Sequence, residues 1–265
     1  MISGVAVIAG LVVIGAVLGV EVVVAGAGPK LDEFDPHLLD GPIGVDPAAT
    51  KAAPPLHIVW LGDSTAAGVG ASSTDGAVAR QVGRRLGRPI TITVLAESGA
   101  RVADVAGDQI DKLVDVEDVD LVVISVGAND AAHLTSLGDV RQRYEAIIAG
   151  LPPGIPVVIV GVPDMGAATR LAQPLRAVAS ARADQVNSVV REVAQAHDAA
   201  FVNIGAQTGP AFRDDPDFNL ASDHYHPSDA GYGLWADAIV PVVVWELFRS
   251  EHPNEPVPPL PSPPQ

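Results

Sequence analysis

The chain has 265 residues, enough for one large domain with a well-buried core, and 48% hydrophobic against 18% charged residues excludes a disordered chain. A formal net charge of −16 argues against nucleic acid and against electrostatic adhesion to anionic lipid. The absence of cysteine excludes disulfides, thiolate nucleophiles, Cys-ligated zinc and iron–sulfur clusters.

Ile2 to Val20 carries no charge, and Glu21 interrupts an apolar run that resumes at Val22 and ends near Ala27. As a helix, Ile2 to Val20 spans about 28 Å, close to the hydrocarbon thickness of a bilayer. Residues 1–27 are therefore read as a transmembrane anchor or as a signal peptide with Ala25-Gly26-Ala27 as its cleavage site. The length of the run and the lack of a preceding Lys or Arg favour the anchor, with membrane contact through residues 2–27. Either reading places the rest of the chain in the cell envelope, outside the cytoplasm.

Residues 28–55, rich in Pro, Gly and Asp, read as a linker. Leu56 to Leu61 is the first expected strand, and it stops at Gly62-Asp63-Ser64. Val78, Val82 and Leu86 recur at helical spacing, so Asp75 to Leu86 is expected to be a helix. Ile90 to Leu95 alternates Thr with apolar residues and reads as a strand. A helix through Val102, Val105, Ile110 and Leu113 leads to a continuous apolar run, Val119 to Val126, typical of a strand covered on both faces. A helix around Val140, Tyr144 and Ile148, a strand from Pro156 to Val162, a long helix from Leu171 to about His197 and a short strand from Phe201 to Ile204 follow.

Gly205 to Asp223 shows no clear periodicity and reads as a polar loop. A final helix starts near Ser228, and Pro241 is expected to kink or divide it. Residues 251–265 form a Pro-rich tail expected to be extended or disordered. The fold class that follows is α/β: three αβα layers around a flavodoxin-like, parallel five-stranded sheet in a domain spanning 56–250. All strand-end loops then share one rim.

That rim carries Ser64. A serine hydroxyl is a weak nucleophile unless a base takes its proton, usually a histidine oriented by a carboxylate. Asp223-His224-Tyr225-His226-Pro227 supplies both, three residues apart. Ser98-Gly99-Ala100 and Gly127-Ala128-Asn129-Asp130, after the second and third strands, offer donors for a developing oxyanion.

With these four motifs in this order, the chain resembles the SGNH (GDSL-type) hydrolase family from about Leu56 to Phe248. Thr65 stands where the family usually has leucine, and Glu97 where it has asparagine two residues before the glycine. The resemblance implies that Ser64 is the nucleophile, His226 the general base and then acid, and Asp223 the residue that orients His226. It implies an oxyanion hole from the backbone N–H groups of Ser64 and Gly99 and the Asn129 side chain, and no cofactor or metal. The activity implied is hydrolysis of a small-molecule, lipid or glycan acyl ester through an acyl-enzyme. Acyl transfer to another acceptor, or carbohydrate O-deacetylation, would use the same residues, and a non-catalytic envelope-binding module would use none of them.

Other chemistry-bearing residues have plainer readings. Asp63 and Asp130 are expected to support their turns. Asp223, His224 and His226 form an acceptable metal set by type, but in an extended segment Asp223 faces away from the two histidines. Gly68-Val69-Gly70 lacks the third glycine of a dinucleotide loop.

Overall fold

The computed structural model describes residues 20–21, 24, 26–44, 55–252 and 254–255. Most of the expected anchor and of the Pro-rich tail lies outside the described residues.

Five parallel strands form the body of one sheet: β2 (Leu56–Gly62), β3 (Ile90–Val94), β4 (Leu121–Ser125), β5 (Val157–Val160) and β6 (Ala200–Val202). A sixth strand, β1 (Gly41–Ile43), pairs antiparallel with β3, giving the order β1-β3-β2-β4-β5-β6. The expected parallel five-stranded sheet is thus extended by one edge strand, drawn from the stretch read as a linker. Pro42 is tolerated there because an edge strand leaves one side of its backbone unpaired. The preceding 3₁₀ turn, Pro36–Leu39, buries Leu39 and holds the strand in place, while Asp40 accepts a hydrogen bond from Val94 N–H.

Alternate residues of β2, β4 and β5 feed two cores. Ile58 and Trp60 face α1 (Val78–Arg85) and the last helix, α9 (Asp229–Glu251). Val59 and Leu61 face α2 (Val102–Asp104), which runs through a π-helical turn (Val105–Gln109) into α3 (Ile110–Leu113). That second face is completed by α5 (Leu137–Gly150) and α6 (Leu175–Ala196), after the short α4 (Ala128–Ala132). Strands covered on both faces must be apolar throughout, which is why β4 is buried at every residue.

Two expectations about the C-terminal third are corrected. The segment read as a polar loop holds α7 (Ile204–Asp214) and α8 (Pro216–Asn219). Ile204, Thr208 and Phe212, four residues apart, form the buried stripe of α7, and Asn203 caps it. Pro241 does not divide α9, which is helical through it. The carbonyl that proline leaves unpaired belongs to Asp237, which is exposed and can bond to water. This helix is long and apolar enough to cross a membrane, but here Trp235, Ile239 and Val243 are buried against the sheet.

The loop after β2 leads towards β3 on one side, and the loop after β4 leads towards β5 on the other. The crevice between these diverging connections is where an open α/β sheet exposes its strand ends to a ligand.

Candidate active site

Gly62 ends β2 with φ +152°, and a Cβ there would lie 2.0 Å from the Ser125 carbonyl oxygen. Only glycine lets the chain turn this close to β4. The turn is then wound tightly: Asp63 N–H donates to Ser125 O at 3.0 Å, and Val69 N–H to Ser64 O at 2.9 Å. Asp63 is buried and accepts from Thr65 N–H (3.0 Å) and Thr65 Oγ1–H (2.8 Å). Thr65, in place of leucine, thus adds a hydroxyl bond to the turn. Burial raises the Asp63 pKa above 3.8, and the Thr65 bonds oppose it.

The histidine loop is closed by its own aspartate. Asp223 Oδ1 accepts from Tyr225 N–H and His226 N–H, both at 3.0 Å. Ala221 N–H donates to His226 O at 2.8 Å. His224 takes φ +57° at the apex, so its side chain is exposed rather than turned inward with His226. Among the described residues no group of three His, Asp or Glu side chains could hold a metal ion. The serine and histidine loops meet at Gly70, where a Cβ would stand 2.3 Å from Pro227 O.

This packing brings together residues 162 apart in sequence. His226 Nε2 lies 3.0 Å from Ser64 Oγ, and His226 Nδ1 lies 2.7 Å from Asp223 Oδ2. With the proton on Nδ1 donated to the carboxylate, Nε2 is free to accept from the serine hydroxyl. Burial alone would raise the Asp223 pKa, but hydrogen bonds from the His226 ring and from the His226 and Tyr225 N–H groups together hold it below 3.8. Asp223 therefore stays ionised at neutral pH. The aromatic ring of Tyr225 packs edge-on against His226, and burial pushes its own pKa up to about 12.

Ser64, Gly99 and Asn129 line one cavity of about 200 Å³, together with His226 and Tyr225. Gly99 has φ +81° and nothing within 4 Å of a Cβ position, so its backbone is open to a ligand. Among the described residues no acceptor meets the N–H of Ser64 or of Gly99. Asn129 Nδ2 donates to Ala100 O at 2.9 Å, which leaves the second hydrogen of that amide for the cavity. The Gly99 loop is held without an asparagine at position 97. Glu97 N–H donates to Gly62 O at 3.1 Å, Ala100 N–H to Glu97 O at 3.2 Å, and Val102 N–H to Asp130 Oδ2 at 2.9 Å. The Glu97 side chain instead points outward and pairs with Lys112.

One supporting residue was not apparent from sequence. Gln109 is buried at the end of the π-helical turn; its Oε1 accepts from Gly62 N–H and its Nε2 donates to Gly62 O, both at 2.8 Å. A glutamine in an amphipathic helix carries no mark of facing inward, so only the fold reveals it.

Comparison with known proteins gives a consistent result. The model of the GDSL-like lipase/acylhydrolase family matches residues 60–234. A GDSL-like esterase of Mycobacterium tuberculosis is 31% identical over 241 residues, covering 84% of this chain and 76% of its own. Among solved structures, the lipase/acylhydrolase from Enterococcus faecalis superposes with a TM-score of 0.56 at 23% identity, over 70% of this chain and 93% of that one. The acetylxylan esterase of Geobacillus stearothermophilus does so with a TM-score of 0.55 at 19% identity, over 72% and 95%.

Proposed function

The chain belongs to the GDSL-like lipase/acylhydrolase family, as a hydrolase acting on ester bonds, and we propose that it is an envelope serine esterase working through Ser64, His226 and Asp223. One observation carries the reading: the unbroken line from Ser64 Oγ to His226 Nε2 (3.0 Å) and from His226 Nδ1 to Asp223 Oδ2 (2.7 Å).

In this mechanism His226 Nε2 takes the hydroxyl proton as Ser64 Oγ attacks the ester carbonyl carbon. The negative charge that develops on the carbonyl oxygen is met by the N–H groups of Ser64 and Gly99 and by Asn129 Nδ2. Charge-directed donors already in place need no reorganisation, which is why such groups lower barriers. Asp223, held ionised, stabilises the imidazolium. Collapse of the tetrahedral intermediate breaks the bond to the alcohol, which leaves with the proton from His226. Water, deprotonated by His226, then attacks the acyl-enzyme and releases the carboxylic acid and Ser64.

The cavity of about 200 Å³ around Ser64 has room for a short acyl group. The acetylxylan esterase is named for an acetyl ester, and a short acyl ester on a glycan or lipid is the substrate class proposed here. The uncharged run from Ile2 to Val20 supports placement in the envelope, membrane-anchored or secreted.

A fluorophosphonate probe and an acyl-length series test the assignment together. Phosphonylation mapped to Ser64 by peptide mass spectrometry is expected, with kcat/KM falling from acetyl and butyryl to dodecanoyl esters. Folded protein that the probe leaves unlabelled would point to a non-catalytic binding module instead. Products carrying the acyl group on added glycerol or sugar, in preference to water, would point to an acyltransferase.

A further inference from the structure

Asp223 has a second charged neighbour, contributed by neither of the loops that define the site. Arg170, in the connection between β5 and α6, places Nη1 3.7 Å from Asp223 Oδ2. Its side chain is 18% exposed and Asp223 is buried, so this pair is screened far less than a surface ion pair. Its backbone N–H donates to His224 O at 3.0 Å, inside the histidine loop. The same Nη1 donates to Pro29 O at 3.0 Å. Gly28 lies directly under the guanidinium, where a Cβ would come within 2.6 Å of Nε. A few residues upstream, Glu21 Oε2 accepts from Leu175 N–H at 2.9 Å, at the first residue of α6, which has no side-chain cap of its own. The one carboxylate in the apolar N-terminal run thus satisfies an open helix N-terminus, on the flank where Gly28 and Pro29 meet Arg170.

From this geometry we infer that Arg170 is a positioning residue for the Asp223–His226 pair and that it ties the pair to the N-terminal segment at Gly28-Pro29. This rests on the esterase reading above for its kinetic consequence. The guanidinium offsets part of the Asp223 charge at Oδ2, the same oxygen that His226 Nδ1 meets. Asp63, Tyr225 and Tyr232 also act on the pair, and none of these three is a cation. Burial pushes the Tyr225 pKa up to about 12 and raises that of Tyr232 well above its usual value, so both stay neutral across the assay range and add no charge to the pair.

Removing the cation leaves Asp223 to stabilise the protonated imidazole unopposed. The acid limb of the kcat/KM–pH profile is then expected to move up by about 0.5–1 pH unit in Arg170→Ala. Activity falls roughly 3- to 10-fold at pH 6 and little at pH 8.5. Arg170→Lys keeps a charge and is expected to restore most of the limb position. Gly28→Val leaves Arg170 in the chain but drives its guanidinium aside, and is expected to shift the limb in the same direction as Arg170→Ala.

The measurement uses the full chain in detergent. Alongside kinetics, the NMR titration of the His226 ring is followed in the Ser64→Ala background, with the signal identified by its loss in His226→Asn. That readout needs no turnover, so it distinguishes failure of this inference from failure of the esterase assignment. An upward-shifted titration in Arg170→Ala and Gly28→Val, restored in Arg170→Lys, supports the inference. Activity lost with the limb and the titration unmoved would reduce Arg170 to a structural residue and overturn it. If Arg170→Ala does not fold, an unshifted Gly28→Val overturns the inference by itself.

Discussion

Replacing Gln109 by methionine keeps the length and volume of the side chain and removes both polar atoms that hold Gly62. Gly62 O retains its bond from Glu97 N–H, but Gly62 N–H loses its acceptor inside the protein. A buried donor left unpaired costs about 1–3 kcal/mol, and the lost bond to Gly62 O adds about 1 kcal/mol, for a total of roughly 2–4 kcal/mol. In a domain of about 200 residues this lowers Tm by roughly 5–12 °C. Gly62 lies two residues before Ser64, so turnover per folded molecule is also expected to fall, by about tenfold, as the serine loses its fixed position. Circular-dichroism melting and active-site titration of the same preparation check the two effects separately. A Tm within 1 °C of wild type would refute the argument that this amide clamps the end of β2.

Three further outcomes follow from the same geometry. Asn129→Ala is expected to lower kcat about 10²- to 10³-fold with little change in KM, because the donor acts on charge present only in the transition state. Asp63→Asn tests the buried carboxylate. Its folded pKa is raised by burial, so its contribution to stability is fullest below the ordinary value of 3.8 and is lost as pH rises through the higher native value. The Tm of Asp63→Asn should therefore gain on wild type from pH 4 to pH 8, and parallel Tm–pH curves would count against this. Asp223 has the opposite sign: its lowered pKa stabilises the fold above 3.8 and the gain disappears in acid, so Asp223→Asn should narrow its Tm deficit below pH 3.5.

β2, β4 and β5 were legible because they are covered on both faces and run apolar along their length, and β3 because Thr alternates with buried apolar residues. β2 and β4 begin and end within about two residues of the apolar runs that marked them. Ser64 was legible as a serine at a strand end, Asp223 and His226 as a carboxylate and a histidine three residues apart before the last helix, and Gly99 and Asn129 as members of the two rim loops between them. The edge strand β1 was hidden because three residues, one of them proline, give no alternation to count. The helix α7 was obscured by Gly205, Gly209 and Pro210, poor helix formers that mask the Ile204-Thr208-Phe212 stripe. Gln109 and Arg170 lay beyond any local pattern. Each acts on a backbone or a carboxylate brought near only by the completed sheet, and nothing in their own neighbourhoods signals it.

In the proposed mechanism ester hydrolysis runs through the Ser64 hydroxyl. Hydrolysis of p-nitrophenyl acetate by the full chain and by Ser64→Ala, at equal folded concentration and pH 8, tests it most directly. The expected result is a loss of at least about 10³-fold in kcat/KM with Tm unchanged, since the oxyanion donors alone leave only residual catalysis. Equal rates in the two proteins would contradict it.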